Sequence, residues 1–135
     1  MRRSTQVAAV PVRRPAHGGL EILLVTSRET QRWVIPKGWP WPKRPDHEAA
    51  AAEAWEEAGV LGNAAPDAVG TFTYDKRRRG AVLPVVVSVF LLEVLEVADD
   101  WPEIDQRRRA WFSPSAAAEA VNEPELKALL RALEK

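Results

Sequence analysis

Three glutamates lie close together near the end of a predicted helix: Glu53, Glu56 and Glu57. At about 100° per residue, their side chains fall within roughly a 100° arc of the helix surface. Carboxylates this close repel one another unless a cation lies among them. Hard divalent ions such as Mg²⁺ prefer oxygen ligands and keep part of their water shell. The spacing therefore indicates a magnesium site, with a solvated acidic helix face as the alternative.

Hydrolysis of a phosphate chain is the reaction that such a site would suit. A bound metal neutralises the phosphates and lowers the pKa of water. A spare carboxylate beside it removes the proton from that water. This chemistry also needs cationic side chains, because guanidinium forks and lysine ammonium groups bind phosphate oxygens.

Arginine is concentrated in clusters, although 19 Lys+Arg balance 19 Asp+Glu and the formal net charge is zero. This balance argues against a generally basic nucleic-acid-binding protein. Clusters without net charge indicate local anion sites, and solvated arginines on strand edges and loops are the alternative. The clusters are Arg2–Arg3, Arg13–Arg14, Arg77–Arg79 and Arg107–Arg109.

The helix that must position the glutamates is predicted to begin with Asp46 as its N-cap and to run to about Ala58. Gly59 is its expected C-terminal stop. The face opposite the glutamates is mostly small and apolar, and we expect it to pack on a sheet. This face contains Ala51, Ala54, Trp55 and Ala58.

The other strands and helices are predicted from runs of apolar, often branched residues that are bounded by Gly and Pro. Residues 36–45 hold four prolines and Gly38, and they predict a rigid, irregular loop. The order of strands, helix, strands and helices favours a mixed sheet flanked by helices. The predicted strands are Val7–Arg13, Leu20–Ser27, Trp33–Ile35, Val69–Tyr74, Val82–Val97 and Trp111–Phe112, and the further helices are Ser115–Val121 and Glu123–Leu133.

Composition limits the classes of protein that remain. A chain of 135 residues with 46% hydrophobic residues predicts one globular domain, over residues 1–135. The absence of cysteine excludes disulfides, a cysteine–zinc site and a thiol nucleophile, and it suits a reducing cytoplasm. No stretch approaches the ~20 apolar residues of a membrane span, and the run Val7–Val12 is too short for a signal peptide. His17 and His47 form no ligand-like pattern.

The segment from Pro36 to Val60 resembles the signature of the Nudix hydrolases. That signature is Gly, five residues, Glu, seven residues, then Arg-Glu-bulky-x-Glu-Glu-x-Gly-bulky. Two positions that brace the loop against the helix in the family differ, since Arg44 replaces the first Glu and Ala52 replaces the Arg. Ala54 also occupies a usually bulky position. The positions in register are Gly38, Glu53, Glu56, Glu57, Gly59 and Val60.

This resemblance implies an α/β protein, a Nudix-type α/β/α sandwich with a mixed β-sheet. Segments 21–28, 32–38 and 93–112 are similar to the diphosphoinositol polyphosphate phosphohydrolase branch. That branch cleaves diphosphate links in inositol pyrophosphates and dinucleoside polyphosphates. The expected function is therefore metal-dependent hydrolysis of a diphosphate linkage in a highly phosphorylated small molecule.

The resemblance also assigns roles by position. It implies that Glu53, Glu57 and the carbonyl of Gly38 bind the metal, Mg²⁺ or Mn²⁺. Glu56 is the expected water-activating base, although Nudix enzymes differ in which glutamate serves. The expected phosphate-binding residues are Arg13, Arg28, Lys37 and Arg107.

Two other functions remain open at this point. A pyrophosphohydrolase of nucleotides or of a capped RNA 5′ end would use Trp39 or Trp41 as a stacking platform for a base. A non-catalytic module that binds a phosphorylated ligand would account for Arg44 and Ala52. The expected assembly is a monomer or a homodimer.

Overall fold

The computed structural model describes residues 4–134; the predicted Arg2–Arg3 cluster lies outside them. Eleven elements follow one another in the described part of the chain. The strands are β1 (Ser4–Arg13), β2 (Glu21–Thr26), β3 (Trp33–Val34), β4 (Lys37–Gly38), β5 (Val60–Ala64), β6 (Gly70–Arg78), β7 (Ala81–Val97) and β8 (Arg109–Phe112). The helices are α1 (Asp46–Ala58), α2 (Pro114–Ala120) and α3 (Pro124–Ala132).

The sheet is mixed, and β1 and β7 form its centre. These two strands run parallel, from Ser4 opposite Val85 to Val12 opposite Glu93. All other strand pairs are antiparallel: β2 pairs with β1, β3 and β8, while β7 pairs with β5 and β6. Strand β4 pairs with β1, which places the loop after it beside the central strands. The predicted α/β class with a mixed sheet is confirmed.

Helices cover both faces of this sheet, and the side chains of β1 and β2 alternate between them. Leu23 and Val25 pack toward α1, whereas Ile22 and Leu24 pack toward α2 and α3. A strand buried on both faces is apolar along its whole length, as β2 is. The predicted three-layer sandwich is therefore present.

Small residues bring α1 close to the sheet. Ala50, Ala54 and Ala58 recur every four residues and are fully buried against β1 and β2. The buried face differs from the prediction in that Trp55 is only partly buried, whereas Glu57 is buried. The buried stripe is therefore rotated toward the glutamates.

One predicted boundary was wrong and one strand was missed, both for local reasons. Asp46 is the first residue of α1 and not its cap, because the carbonyl of Pro45 accepts the first helical hydrogen bonds, from Glu48 and Ala49. Strand β5 was missed because Gly62 and Asn63 are poor strand formers. Pairing with the long strand β7 imposes the extended conformation there, with a register shift between Leu61 and Gly62.

Helix α1 ends at Gly59, as predicted, with the glycine in the left-handed region at φ 70°. A side chain at this position would be strained, and its Cβ would lie 2.7 Å from atoms of Trp101 and Arg109. Across residues 4–134, no helix is long and apolar enough to cross a membrane.

We expect Gly59→Ala to lower the free energy of unfolding by about 2–4 kcal/mol, because it combines positive φ with a clash. Gly19→Ala is the matched control, since nothing lies within 4 Å of its Cβ, and it should change stability by less than about 0.5 kcal/mol. Urea denaturation measures both values. Equal effects of the two substitutions would contradict this account of the helix end.

Candidate active site

An open cavity of about 740 Å³ lies beside the C-terminal half of α1. Acidic, basic and neutral side chains line it, and three of its carboxylates come from α1. The acidic residues that line it are Glu29, Glu53, Glu56, Glu57, Asp75 and Glu103. The basic residues that line it are Arg28, Arg32, Lys37, Lys76, Arg77, Arg78 and Arg107.

Glu57 is the buried carboxylate of this cavity, and two different segments contact its two oxygens. The backbone N–H of Lys37 donates to Oε1 at 3.3 Å. The Nη2 atom of Arg107 lies 3.5 Å from Oε2. The pKa of Glu57 is raised to about 8, chiefly by burial; Arg107 acts to lower it, while Glu53 and Glu103 act to raise it. Desolvation therefore outweighs the nearby guanidinium.

The carboxyl group of Glu53 lies against the backbone of Gly38. Any side chain at position 38 would occupy the space that this carboxyl group fills. A Cβ on Gly38 would lie 2.2 Å from the Oε2 atom of Glu53. Burial raises the pKa of Glu53, Glu56 raises it further, and a hydrogen bond with the side chain of Glu57 lowers it. Two carboxyl groups in contact must share a proton or a cation. This oxygen-rich pair therefore fits a hard divalent cation.

These carboxylates lie at the end of the helix where negative charge is least favourable. The last turn of α1 contains no basic residue, and the negative end of the helix dipole is there. Glu56 is exposed, next to the buried Glu57. Within residues 4–134, no three His, Cys, Asp or Glu side chains already have the spacing that holds a metal ion. Backbone oxygen and water must complete the coordination of any ion bound by Glu53 and Glu57.

Residues 98–109, which we call the clamp segment, satisfy the carbonyls at the end of α1. Trp101 Nε1 donates to the carbonyl of Glu57 at 3.1 Å, and the N–H of Glu103 donates to the carbonyl of Glu56 at 3.1 Å. Arg109 Nη1 donates to the carbonyl of Ala58 at 2.8 Å. Hydrogen bonds from a segment distant in sequence therefore fix the end of α1 that carries the glutamates.

Lys37 and Arg28, two of the predicted phosphate-binding residues, lie at the cavity. Burial lowers the pKa of Lys37, although the carboxylate of Glu57 raises it. Its ammonium group lies 4.9 Å from the centre of the Tyr74 ring. Arg28 donates to Gln106 at 3.2 Å. Lys37 thus lies next to Glu57, and Arg28 lines the same cavity.

Arg13 is not brought to the cavity. It lies at the far end of β1, about 20 Å along the strand from Val7, which pairs with Gly38. Its guanidinium bonds to Glu21 at 2.7 Å and stacks on Trp111 at 3.9 Å. The structure therefore does not bring Arg13 together with Lys37 and Arg28, and its guanidinium makes local contacts at the end of β1 instead.

Several residues at the cavity were missed by the sequence analysis. Arg77 and Arg78 belong to a recognised cluster, and only the pairing of β6 with β7 brings them to the site. Glu103 gave no signal in the sequence. Trp39 lines the cavity and is 47% exposed, whereas Trp41 faces a separate shallow depression.

The raised pKa of Glu57 predicts a pH dependence of stability for the protein in EDTA. The folded state holds this proton up to about pH 8, against an ordinary value of 4.5. Its stabilising contribution is therefore complete below pH 4.5 and is lost as the pH rises toward 8. Between pH 5 and pH 8, we expect the free energy of unfolding to fall by about 2–4 kcal/mol more in the wild type than in Glu57→Gln.

Urea denaturation at both pH values measures this difference. Glu56→Gln is the matched control, because Glu56 is an exposed neighbour on the same helix, and it should keep the wild-type slope. Parallel curves for the wild type and Glu57→Gln would contradict the assigned burial of this charge.

Comparison with known proteins places the chain in a family. The NUDIX domain family matches residues 2–133. Nudix hydrolase 21, chloroplastic, of Arabidopsis thaliana is 34% identical over 84% of this chain and 57% of its own length. Diphosphoinositol polyphosphate phosphohydrolase 3-alpha of Mus musculus is 36% identical over 68% of this chain and 54% of its own length. The chain thus spans little more than half of these relatives.

Solved structures show the same fold. The E. coli dihydroneopterin triphosphate pyrophosphohydrolase superposes with a TM-score of 0.74 at 15% identity, over 98% of this chain and 95% of that one. The C. elegans Ap4A hydrolase superposes with a TM-score of 0.64 at 23% identity, over 96% and 95% of the two chains. With the family match over nearly all of its length, the chain belongs to the Nudix family.

Proposed function

We propose that residues 1–135 form one Nudix-type hydrolase domain that cleaves a diphosphate linkage in a highly phosphorylated small molecule. The observation that carries this proposal is one cavity that brings the carboxylate cluster of α1 together with cations from several other segments. The carboxylates suit a divalent cation, and the cations suit a polyanion. Relatives with diphosphoinositol polyphosphate phosphohydrolase in their names support the same substrate class.

Glu53, Glu57 and the carbonyl of Gly38 would hold Mg²⁺ or Mn²⁺ in this proposal. When bound, the cation neutralises phosphate charge and lowers the pKa of water. Glu56 is exposed beside Glu53 and Glu57, and it takes the proton from the water that attacks phosphorus. Lys37, Arg28 and the arginines of β6 stabilise the charge on the phosphate oxygens. A catalytic role also accounts for the buried carboxyl group of Glu57, which a simple phosphate-binding module would not need.

The basic wall favours a substrate with several phosphates. Lys76, Arg77 and Arg78 lie on one strand, and Arg28 lies on a different loop of the same cavity. Cations spread over several segments match charge distributed around a small molecule better than a single diphosphate. A diphosphoinositol polyphosphate or a diadenosine polyphosphate has this character.

A nucleotide substrate is the second candidate, and Trp39 is the observation that favours it. Its exposed ring lines the cavity, with the ammonium group of Lys76 5.7 Å from the ring centre. An exposed tryptophan beside phosphate-binding cations can stack on a nucleobase. Nucleoside polyphosphates and a capped RNA 5′ end are the ligands of this kind.

We also propose that the protein is cytoplasmic and that it is a monomer or a homodimer.

Product release from the purified protein tests the reaction. The substrates are an inositol pyrophosphate, a diadenosine polyphosphate, a capped RNA end and a nucleoside triphosphate, each with Mg²⁺, Mn²⁺ or EDTA. We expect metal-dependent turnover that falls by about 10²–10⁴-fold in Glu56→Gln. Glu48→Gln is the matched control, because this exposed carboxylate of the same helix pairs only with Arg44 among its described salt bridges.

The ranking of substrates separates the two candidates. Preference for the inositol pyrophosphate, unaffected by Trp39→Ala, supports the first. A raised KM for nucleotides in Trp39→Ala, with Trp41→Ala unchanged, supports the second. Tight binding of these ligands without turnover of any would reject both and identify a binding module.

A further inference from the structure

Arg107 is a buried cation at the cavity, with a side chain only 8% exposed. All three of its guanidinium nitrogens face protein oxygens. Its Nε atom bonds to Glu103 at 2.7 Å, its Nη1 atom donates to the carbonyl of Thr26 at 3.1 Å, and its Nη2 atom lies 3.5 Å from Glu57. Two of its five N–H groups donate hydrogen bonds to the protein and Nη2 faces Glu57, so protein oxygens fix the orientation of the guanidinium.

The bracing that the Nudix signature supplies within its own segment is absent from this chain. Ala52 carries no cation, and Arg44 pairs with the exposed Glu48 at 3.4 Å, away from the acidic cluster. Glu57 nevertheless has both oxygens contacted, by the backbone of Lys37 and by Arg107. The guanidinium that reaches Glu57 therefore comes from a different part of the chain.

We propose that Arg107 is a positioning residue, which holds the carboxylate of Glu57 toward the cavity in a chain whose signature segment lacks the loop-bracing Glu and Arg. This inference rests on the proposed function, and it replaces the expected role of Arg107 in phosphate binding. The guanidinium bridges the clamp segment, the end of β2 and α1. Its planar fork keeps these contacts in a fixed geometry that a lysine ammonium group cannot reproduce.

Binding of Mn²⁺ to the protein without substrate tests this role, measured by electron paramagnetic resonance on the wild type, Arg107→Gln and Arg107→Lys. Loss of a nearby positive charge would by itself strengthen cation binding. Loss of a residue that orients a metal ligand weakens it, typically by about 10–100-fold. The two roles therefore predict opposite signs. Arg108→Gln is the matched control, because Arg108 is exposed and adjacent in sequence.

We expect about 10-fold weaker Mn²⁺ binding in Arg107→Gln and no recovery in Arg107→Lys. We also expect a similar loss in kcat with KM changed less than about 3-fold. Unchanged or tighter Mn²⁺ binding, with a raised KM, would overturn the positioning role and restore the phosphate contact. A wild type that binds Mn²⁺ but turns nothing over would reject the proposed hydrolysis alone, since the metal-binding comparison would still decide the role of Arg107.

Discussion

Negative charge at the C-terminal end of α1 is the constraint on which the rest of the structure depends. Two carboxylates in contact, a third beside them and the helix dipole all add negative potential at one place. The dipole contributes only about 0.3–1 kcal/mol per charge, whereas burying a carboxylate without partners costs several kcal/mol. Burial is also the largest cause of the raised pKa of Glu57. The surroundings of Glu57 therefore matter more than its place on the helix.

Segments that are distant in sequence stabilise the negatively charged end of α1. The clamp segment occupies the carbonyls at the end of α1, and Arg109 stacks on Trp101 at 3.9 Å while it does so. Strand β4 is fixed on β1 and directs the N–H of Lys37 at Glu57. The small residues of α1 allow it to lie close to the sheet, which carries both supports. The acidic cluster thus lies at the cavity with contacts to two other segments, and it is not a fully solvated helix face.

Much of this arrangement could be predicted from local sequence, and the rest could not for a physical reason. Glycine at position 59 and the alanine stripe predict α1, and the signature spacing predicts which glutamates meet. Arg77 and Arg78 reach the cavity only through the pairing of β6 with β7, and Glu103 lies there through a backbone hydrogen bond to Glu56, neither of which local patterns encode. Arg13 and Arg107 look alike in sequence, yet Arg13 stacks on Trp111 at the end of a central strand and Arg107 is buried beside Glu57.

Anomalous diffraction from crystals grown with Mn²⁺ is the most direct test of the central claim, that this carboxylate pair is a metal site. The account predicts a peak within about 2.0–2.6 Å of oxygen atoms of both Glu53 and Glu57. The backbone carbonyl of Gly38 should complete the protein ligands. A peak elsewhere in the cavity, or none at a saturating concentration of Mn²⁺, would contradict it.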